Sequence, residues 1–93
     1  MNLFTYDLTD KLRKKVAKLA KKNKVLALIF KKKLQEVINH NTKTIDAYKN
    51  LKSPQNEFKR IHLTDNFILL FTVDKNRQHI VFVDILHWDN AYE

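Results

Sequence analysis

Apolar side chains recur at two periods along this chain, helical in the first half and alternating in the last third. Residues 8–20 place an apolar side chain every three or four positions with lysines between them, which predicts an amphipathic helix of about four turns. Either Asp7 or Thr9 would cap it. The run KKNK at 21–24 interrupts the pattern, and a second helix is predicted over about residues 25–39. Because two helices joined so briefly pack side by side, we expect an antiparallel hairpin. The stripes facing the core are Leu8, Leu12, Val16, Leu19 and Ala20, then Leu26, Ile29, Phe30, Leu34, Val37 and Ile38.

Segments that predict β-strands lie before and after the two predicted helices. Residues 3–6 form a short first strand, and residues 58–63 alternate, so that Arg60 and His62 share one sheet face while Lys59 lies on the other. Residues 67–73 are apolar on both faces, as in a central strand, and residues 79–86 form a last long strand. Their short connections predict an antiparallel meander.

The element order predicts an α+β fold: an N-terminal strand, then an antiparallel two-helix hairpin packed on a mainly antiparallel four-stranded sheet. A chain of 93 residues buries about 65% of its extended surface on folding, so we expect one domain over residues 1–93. Residues 40–57 form a long irregular connection. Its apolar patch is interpreted as either a short helical turn or a docking point, and consists of Ile45, Ala47, Tyr48 and Leu51.

Composition removes several classes of site. The chain has no Cys, which excludes disulfides and thiolate metal sites, and its four His lack ligand spacing, so no metal is expected. It has no Gly, which excludes glycine-rich phosphate loops, and tight turns would use Asn and Asp at positive φ. The longest apolar run, 25–30, is too short for a membrane span, and residues 1–7 do not resemble a signal peptide. We therefore expect a cytoplasmic protein.

Positive charge is concentrated in the predicted hairpin. The chain has 18 Lys plus Arg against 10 Asp plus Glu, a formal charge of +8, and residues 11–33 contain 11 basic residues and no acidic one. Such a field attracts polyanions. Nucleic acid is the commonest partner of this kind, while an acidic protein, a membrane surface or a simply solvated helical surface also fits.

The element order and three short motifs resemble the RelE/ParE toxin superfamily of type II toxin–antitoxin systems, over nearly the whole chain. The motifs are YKNLK at 48–52, similar to the family's K-x-L-K stretch, the basic strand FKRIHL at 58–63, and the closing HWDNAY at 87–92. This last motif is similar to the H-x-D-x-x-Y ending of the archaeal-type RelE branch. The resemblance implies a ribosome-dependent mRNA endonuclease, bound by an acidic RelB-like antitoxin and needing no cofactor or metal.

The resemblance also implies roles for individual residues. The 2′-hydroxyl of the RNA would attack the adjacent phosphate, a reaction that needs a base, an acid and cations around the developing negative charge. Arg60 would hold the phosphate, His62 would be a second phosphate contact or a base, His87 would transfer protons, and Tyr92 would stack on a base or orient the nucleophile. Asp89 would orient His87, cap a terminal turn or contact nucleic acid. Further nucleic-acid contacts are implied for Lys49, Lys52 and Lys59.

The chain departs from the family pattern at two positions and in its ending. Ile68 stands where many members carry an arginine, Trp88 replaces another arginine, and the sequence ends at Glu93 without the further helix of some members. These departures leave open a nucleic-acid-binding member that has lost the nuclease, and the ParE-like branch of the superfamily leaves open a DNA gyrase poison. Structural roles are open for three of these residues as well. Arg60 could form a surface ion pair, His62 could be a structural strand residue, and Trp88 could belong to the core. His40 and His79 match no motif and are interpreted as surface or turn residues.

Overall fold

The computed structural model describes residues 4–50 and 57–87. Within them, neither helix has the length and apolar composition needed to cross a bilayer. The chain order is strand, two helices, a short 3₁₀ helix and three strands. The bounds are β1 Thr5–Leu8, α1 Asp10–Lys22, α2 Lys24–Ile38, the 3₁₀ helix Thr44–Ala47, β2 Lys59–His62, β3 Phe67–Asp74 and β4 His79–His87.

The four strands form one sheet in the order β1-β4-β3-β2. β1 pairs with β4 in parallel, whereas β2–β3 and β3–β4 are antiparallel, which confirms the predicted α+β fold. A bulge between Leu70 and Phe71 shifts the register, so that Leu70 faces Asp84 and Phe71 faces Phe82. Because one extra residue of β4 is accommodated there, Phe82 and Ile85 both join the same buried cluster although they are three positions apart.

Side-chain caps fix the ends of both helices. The Thr9 hydroxyl accepts a hydrogen bond from the Leu12 N–H at 3.2 Å and donates one to the Val83 carbonyl at 2.6 Å, so Thr9 rather than Asp7 caps α1 and also ties it to β4. Asn23 ends α1 and starts α2: its N–H bonds the Leu19 carbonyl at 2.8 Å, and its side chain accepts from the N–H of the third residue of α2. One residue therefore makes the whole connection.

The sheet buries apolar side chains on both faces. The cluster on the side of the helices includes Leu12, Phe30, Leu69 and Phe71, all at most 3% exposed. A second, smaller cluster lies on the opposite face, which we call the far face, and contains buried Ile68 and Leu70 with partly buried Phe58, Val83 and Leu86. β3 is thus buried on both faces, as its continuous apolar run predicts.

Some boundaries and one turn differ from expectation. β1 begins at Thr5 and runs to Leu8, later than the predicted 3–6, because its pairing with β4 fixes its register. Among the described residues, positive φ occurs at Gln78 (51°), not at an Asn or Asp, which corrects the expectation for this turn. The apolar patch in the long connection includes the predicted helical turn, whose Ile45 is fully buried. Leu51 lies outside the described residues.

A buried carboxylate fastens α1 to β4. Asp84 is 4% exposed and contacts the ammonium groups of Lys15 at 2.6 Å and Lys11 at 3.2 Å, while its Oδ1 accepts from the Ile85 N–H at 2.8 Å. Burial alone would raise the pKa of this carboxyl, but the bonds from Lys15 and Lys11 outweigh it and hold the pKa below its ordinary 3.8. Two of the many hairpin lysines are thereby neutralised internally.

We expect Asp84→Asn to lower the free energy of unfolding by about 1–3 kcal/mol, because Lys15 loses its carboxylate partner. A lowered pKa gives stability that is full above pH 3.8 and is lost as the pH falls through the folded-state value. The difference between wild type and variant, measured by urea unfolding, should therefore shrink on acidification. Asp65→Asn, an exposed turn carboxyl, is the control, and an equal effect there would contradict this assignment.

Candidate nucleic-acid interface

The far face carries the arginine and the histidine that the alternation of β2 predicts to share one side of the sheet. Arg60 lies opposite Leu70 and His62 lies opposite Ile68, so both side chains flank the smaller apolar cluster. His62 is exposed, whereas Arg60 is half-buried and its Nε atom is fully covered. A guanidinium on a paired strand beside apolar groups is held in place with a permanent charge, which suits phosphate binding.

His62 and His87 lie at the same end of the sheet. His62 ends β2, Ile68 faces it from β3, Leu86 faces Ile68 from β4, and His87 follows as the last residue of β4. One strand separates the two histidines, which corresponds to about 10 Å between their backbones. The register pairs His87 with Phe67, which packs on the helix side. The structure thus brings the histidines to one end of the sheet but assigns them to opposite faces.

The ring of His87 has a defined neighbour on that side. The ring packs edge-on against Phe67, with ring centroids 5.4 Å apart, and His87 as a whole is exposed to solvent. Lys52, Asp89, Tyr92 and Trp88 lie outside the described residues, so the structure adds nothing to their predicted roles. In residues 4–50 and 57–87, no three His or acidic side chains come together as metal ligands.

The two described lysines of the predicted interface differ in surroundings. Lys49 is exposed, and its carbonyl accepts from the Arg60 N–H at 3.0 Å. The Lys59 side chain is only 12% exposed: its ammonium donates to the Tyr48 carbonyl at 3.1 Å and to Asn50 Oδ1 at 3.0 Å, and lies 3.5 Å from Asp46. In this arrangement Lys59 fastens the segment that carries Lys49 against β2.

A histidine–tyrosine pair, which the motifs did not reveal, supports the same segment. His40 contacts the Thr44 hydroxyl with Nδ1 at 3.0 Å and the Tyr48 hydroxyl with Nε2 at 2.9 Å, and the Tyr48 ring packs edge-on against Phe71 in the core. Burial, and then the negative charge of Glu36, raise the pKa of Tyr48 to about 12. His40, Thr44 and Tyr48 are spaced four positions apart, and this spacing is the sequence feature from which their contact could have been predicted.

No protein-family model matches the chain. A protein of Methanocaldococcus jannaschii that carries the name of toxin RelE4 is 37% identical over 91 residues, which cover 98% of this chain and 93% of the relative.

Two solved structures show the same fold at low identity. YafQ from Escherichia coli superposes with a TM-score of 0.73 at 14% identity, over 97% of this chain and 99% of that one. The toxin–antitoxin complex RelBE2 of Mycobacterium tuberculosis contains a chain with a TM-score of 0.70 at 17% identity, over 94% and 93%. The fold expected from the sequence is therefore found in solved structures.

The buried position of Tyr48 gives a testable titration. In alkali the folded chain should keep this phenol protonated to about pH 12, whereas the unfolded chain ionises it near pH 10, so stability should fall as the pH rises above 10. Tyr48→Phe should remove the highest-pH step from the near-ultraviolet phenolate absorbance, with Tyr6→Phe as the control. Loss of that step in the Tyr6 variant instead would refute the assignment.

Proposed function

The chain belongs to the RelE family of toxins, and from this premise we propose that it is the toxin of a type II toxin–antitoxin pair that cleaves mRNA on the ribosome. The observation that carries the proposal is the far face, where a half-buried arginine and an exposed histidine, Arg60 and His62, alternate on one strand in the position of the family's basic strand. Action on ribosomes would place the protein in the cytoplasm.

The proposed chemistry needs only RNA and side chains. A base takes the proton of the ribose 2′-hydroxyl, the oxygen attacks the adjacent phosphorus, and the P–O5′ bond breaks as an acid protonates the leaving oxygen. The products are a 2′,3′-cyclic phosphate and a free 5′-hydroxyl. Arg60 would hold the charge that develops on the phosphate oxygens.

The two histidines are suited to the proton transfers. The attacking and leaving oxygens lie on opposite sides of the phosphorus, so an acid and a base are needed on both sides of the scissile bond. His62 and His87 lie at one end of the sheet, on opposite faces and with a single strand between them, so the RNA would have to pass across that end to contact both. Tyr92 would stack on a nucleobase or orient the nucleophile, and Asp89 would orient His87. These two proposed roles rest on the closing motif alone.

The basic hairpin would contribute binding rather than chemistry. Most of its lysines are exposed, and lysine contacts to phosphate position nucleic acid without reading its sequence. Exposed Lys49, together with Lys52, would extend this contact along the edge beside β2. The same charge would draw an acidic RelB-like antitoxin to the toxin at a high rate.

A nucleic-acid-binding member without nuclease activity is the second candidate, and one observation favours it. Ile68, which replaces the arginine of many relatives, lies directly opposite His62 and is fully buried. The cation is therefore missing from the position that borders the proposed site. This candidate requires salt-dependent RNA binding with no cleaved product.

We expect purified protein to cut mRNA in an in vitro translation reaction only when ribosomes are present. Arg60→Ala should lower the rate by about 10²–10³-fold, because phosphate charge loses its stabilising cation. His87→Ala should lower it by about 10²–10⁴-fold through loss of proton transfer. Primer extension locates the cuts, and Arg77→Ala, which removes an equal charge from an exposed turn, should cleave normally.

Each other result selects an alternative. Intact mRNA with folded protein and salt-sensitive RNA binding favours the nuclease-deficient member. Inhibition of DNA supercoiling that survives both substitutions would indicate a gyrase poison. Equal loss of activity in Arg77→Ala would point to net charge and would remove Arg60 from the site.

A further inference from the structure

Residues 48–50 lie along the edge of β2 that β3 does not occupy. Asn50 forms an antiparallel bridge with Lys59, and the Arg60 N–H donates to the Lys49 carbonyl at 3.0 Å. Because an antiparallel pair keeps successive residues opposite each other, Lys49 lies directly across from Arg60, with about 5.5 Å between their Cα atoms. Residues opposite each other share a sheet face, so the Lys49 side chain joins Arg60 on the far face.

This register places two cations side by side. Lys49 is exposed and Arg60 is half-buried, and like charges directly opposite each other weaken the pairing of two strands. A phosphate bound between the two cations would remove the repulsion. Without a bound anion, residues 48–50 need a further contact to stay against β2.

The Lys59 ammonium supplies such a contact from the helix side of the sheet, where its strand position faces Phe71. An ammonium carries three N–H donors. This one donates to the Tyr48 carbonyl at 3.1 Å and to Asn50 Oδ1 at 3.0 Å, and it lies 3.5 Å from Asp46 Oδ1. All three oxygens belong to residues 46–50, so one mostly buried side chain holds that segment against β2.

Two of the three acceptors are themselves fixed in place. The Tyr48 ring packs edge-on against Phe71 in the core, with ring centroids 5.5 Å apart. Asp46 binds Lys75 of the β3–β4 turn through its other oxygen, and this hydrogen bond holds the pKa of Asp46 below its ordinary 3.8. The carboxylate is therefore charged at neutral pH and compensates the Lys59 ammonium.

We propose that Lys59 is a positioning residue, which holds residues 48–50 against β2 and thereby keeps Lys49 opposite Arg60. On the far face the two cations would share the oxygens of one RNA phosphate, while Lys59 itself stays on the helix side and does not contact RNA. The proposal rests on the proposed function, since cleavage of RNA supplies the phosphate.

Amide hydrogen exchange tests the contact without any cleavage reaction. Lys59→Met keeps most of the side-chain length but removes the ammonium, so exchange of the Arg60 N–H should become at least about 10-fold faster as the Lys49 carbonyl moves away. Protection of the β3 amides should persist and would show that the variant is folded. Lys75→Met removes an equal charge from beside the same carboxylate and should change Arg60 exchange less than about 3-fold.

A milder variant keeps the test independent of the folding of the first. Asn50→Ala removes one acceptor of the Lys59 ammonium at an exposed position. It should speed up exchange of the Arg60 N–H by about 3-fold or more. Unchanged Arg60 exchange in folded Lys59→Met protein, or in Asn50→Ala where the first variant does not fold, would overturn the proposal.

Cleavage of mRNA on ribosomes tests whether Lys59 acts through Lys49. At saturating concentrations of mRNA-programmed ribosomes, Lys49→Ala should lower the rate constant by about 10²-fold and Lys59→Met by about 10-fold, with the half-saturating concentration changed less than about 3-fold. The double variant should fall no more than about 3-fold below Lys49→Ala, because Lys59 then has no cation left to position. Lys75→Met should cleave normally.

The remaining outcomes separate the proposal from the proposed function. Losses that multiply to about 10³-fold in the double variant would show that Lys59 acts independently of Lys49, and would overturn the proposal while leaving the nuclease intact. Wild-type protein that does not cut mRNA would remove the proposed function and, with it, the role of Lys59 in the reaction. Faster Arg60 exchange in Lys59→Met would in that case retain the contact as a purely structural one.

Discussion

Burial of β3 on both faces is the constraint that organises this molecule. Leu69 and Phe71 point into the helix-side cluster, while Ile68 and Leu70 pack into the smaller cluster on the far face. A strand buried in this way cannot slip by one residue, because a slip would exchange its faces and their neighbours. Because Ile68 cannot shift, the position of His62 opposite it is also fixed. The candidate site is therefore held on a strand whose register is set by the core.

The bulge between β3 and β4 determines the position of the buried carboxylate. By shifting the register after Leu70, it lets Ile85 return to the helix-side cluster and leaves Asp84 buried beside α1. A buried carboxylate must be compensated, and Lys15 with Lys11 supplies the charge. The strongly basic hairpin therefore packs on the sheet through a charged contact as well as through its apolar stripe.

Much of this architecture follows from sequence patterns, because helix and strand periods are local. The period changes gave the element order, and the alternation of β2 correctly separated Lys59 from Arg60 and His62. Long-range pairing could not be predicted in this way. The contact of Lys15 with Asp84 joins positions 69 residues apart, and the register that separates His87 from His62 by face depends on the bulge.

The positive charge and the candidate site lie on different sides of the sheet. Arg60 and His62 lie on the far face, whereas α1 and α2 pack on the other side. Lys11 and Lys15 contact buried Asp84, but most of the other hairpin lysines are exposed. A polyanion attracted by these lysines would have to extend around an edge of the sheet before it contacted Arg60 and His62. Electrostatic attraction and the proposed chemistry would therefore use separate surfaces of one molecule.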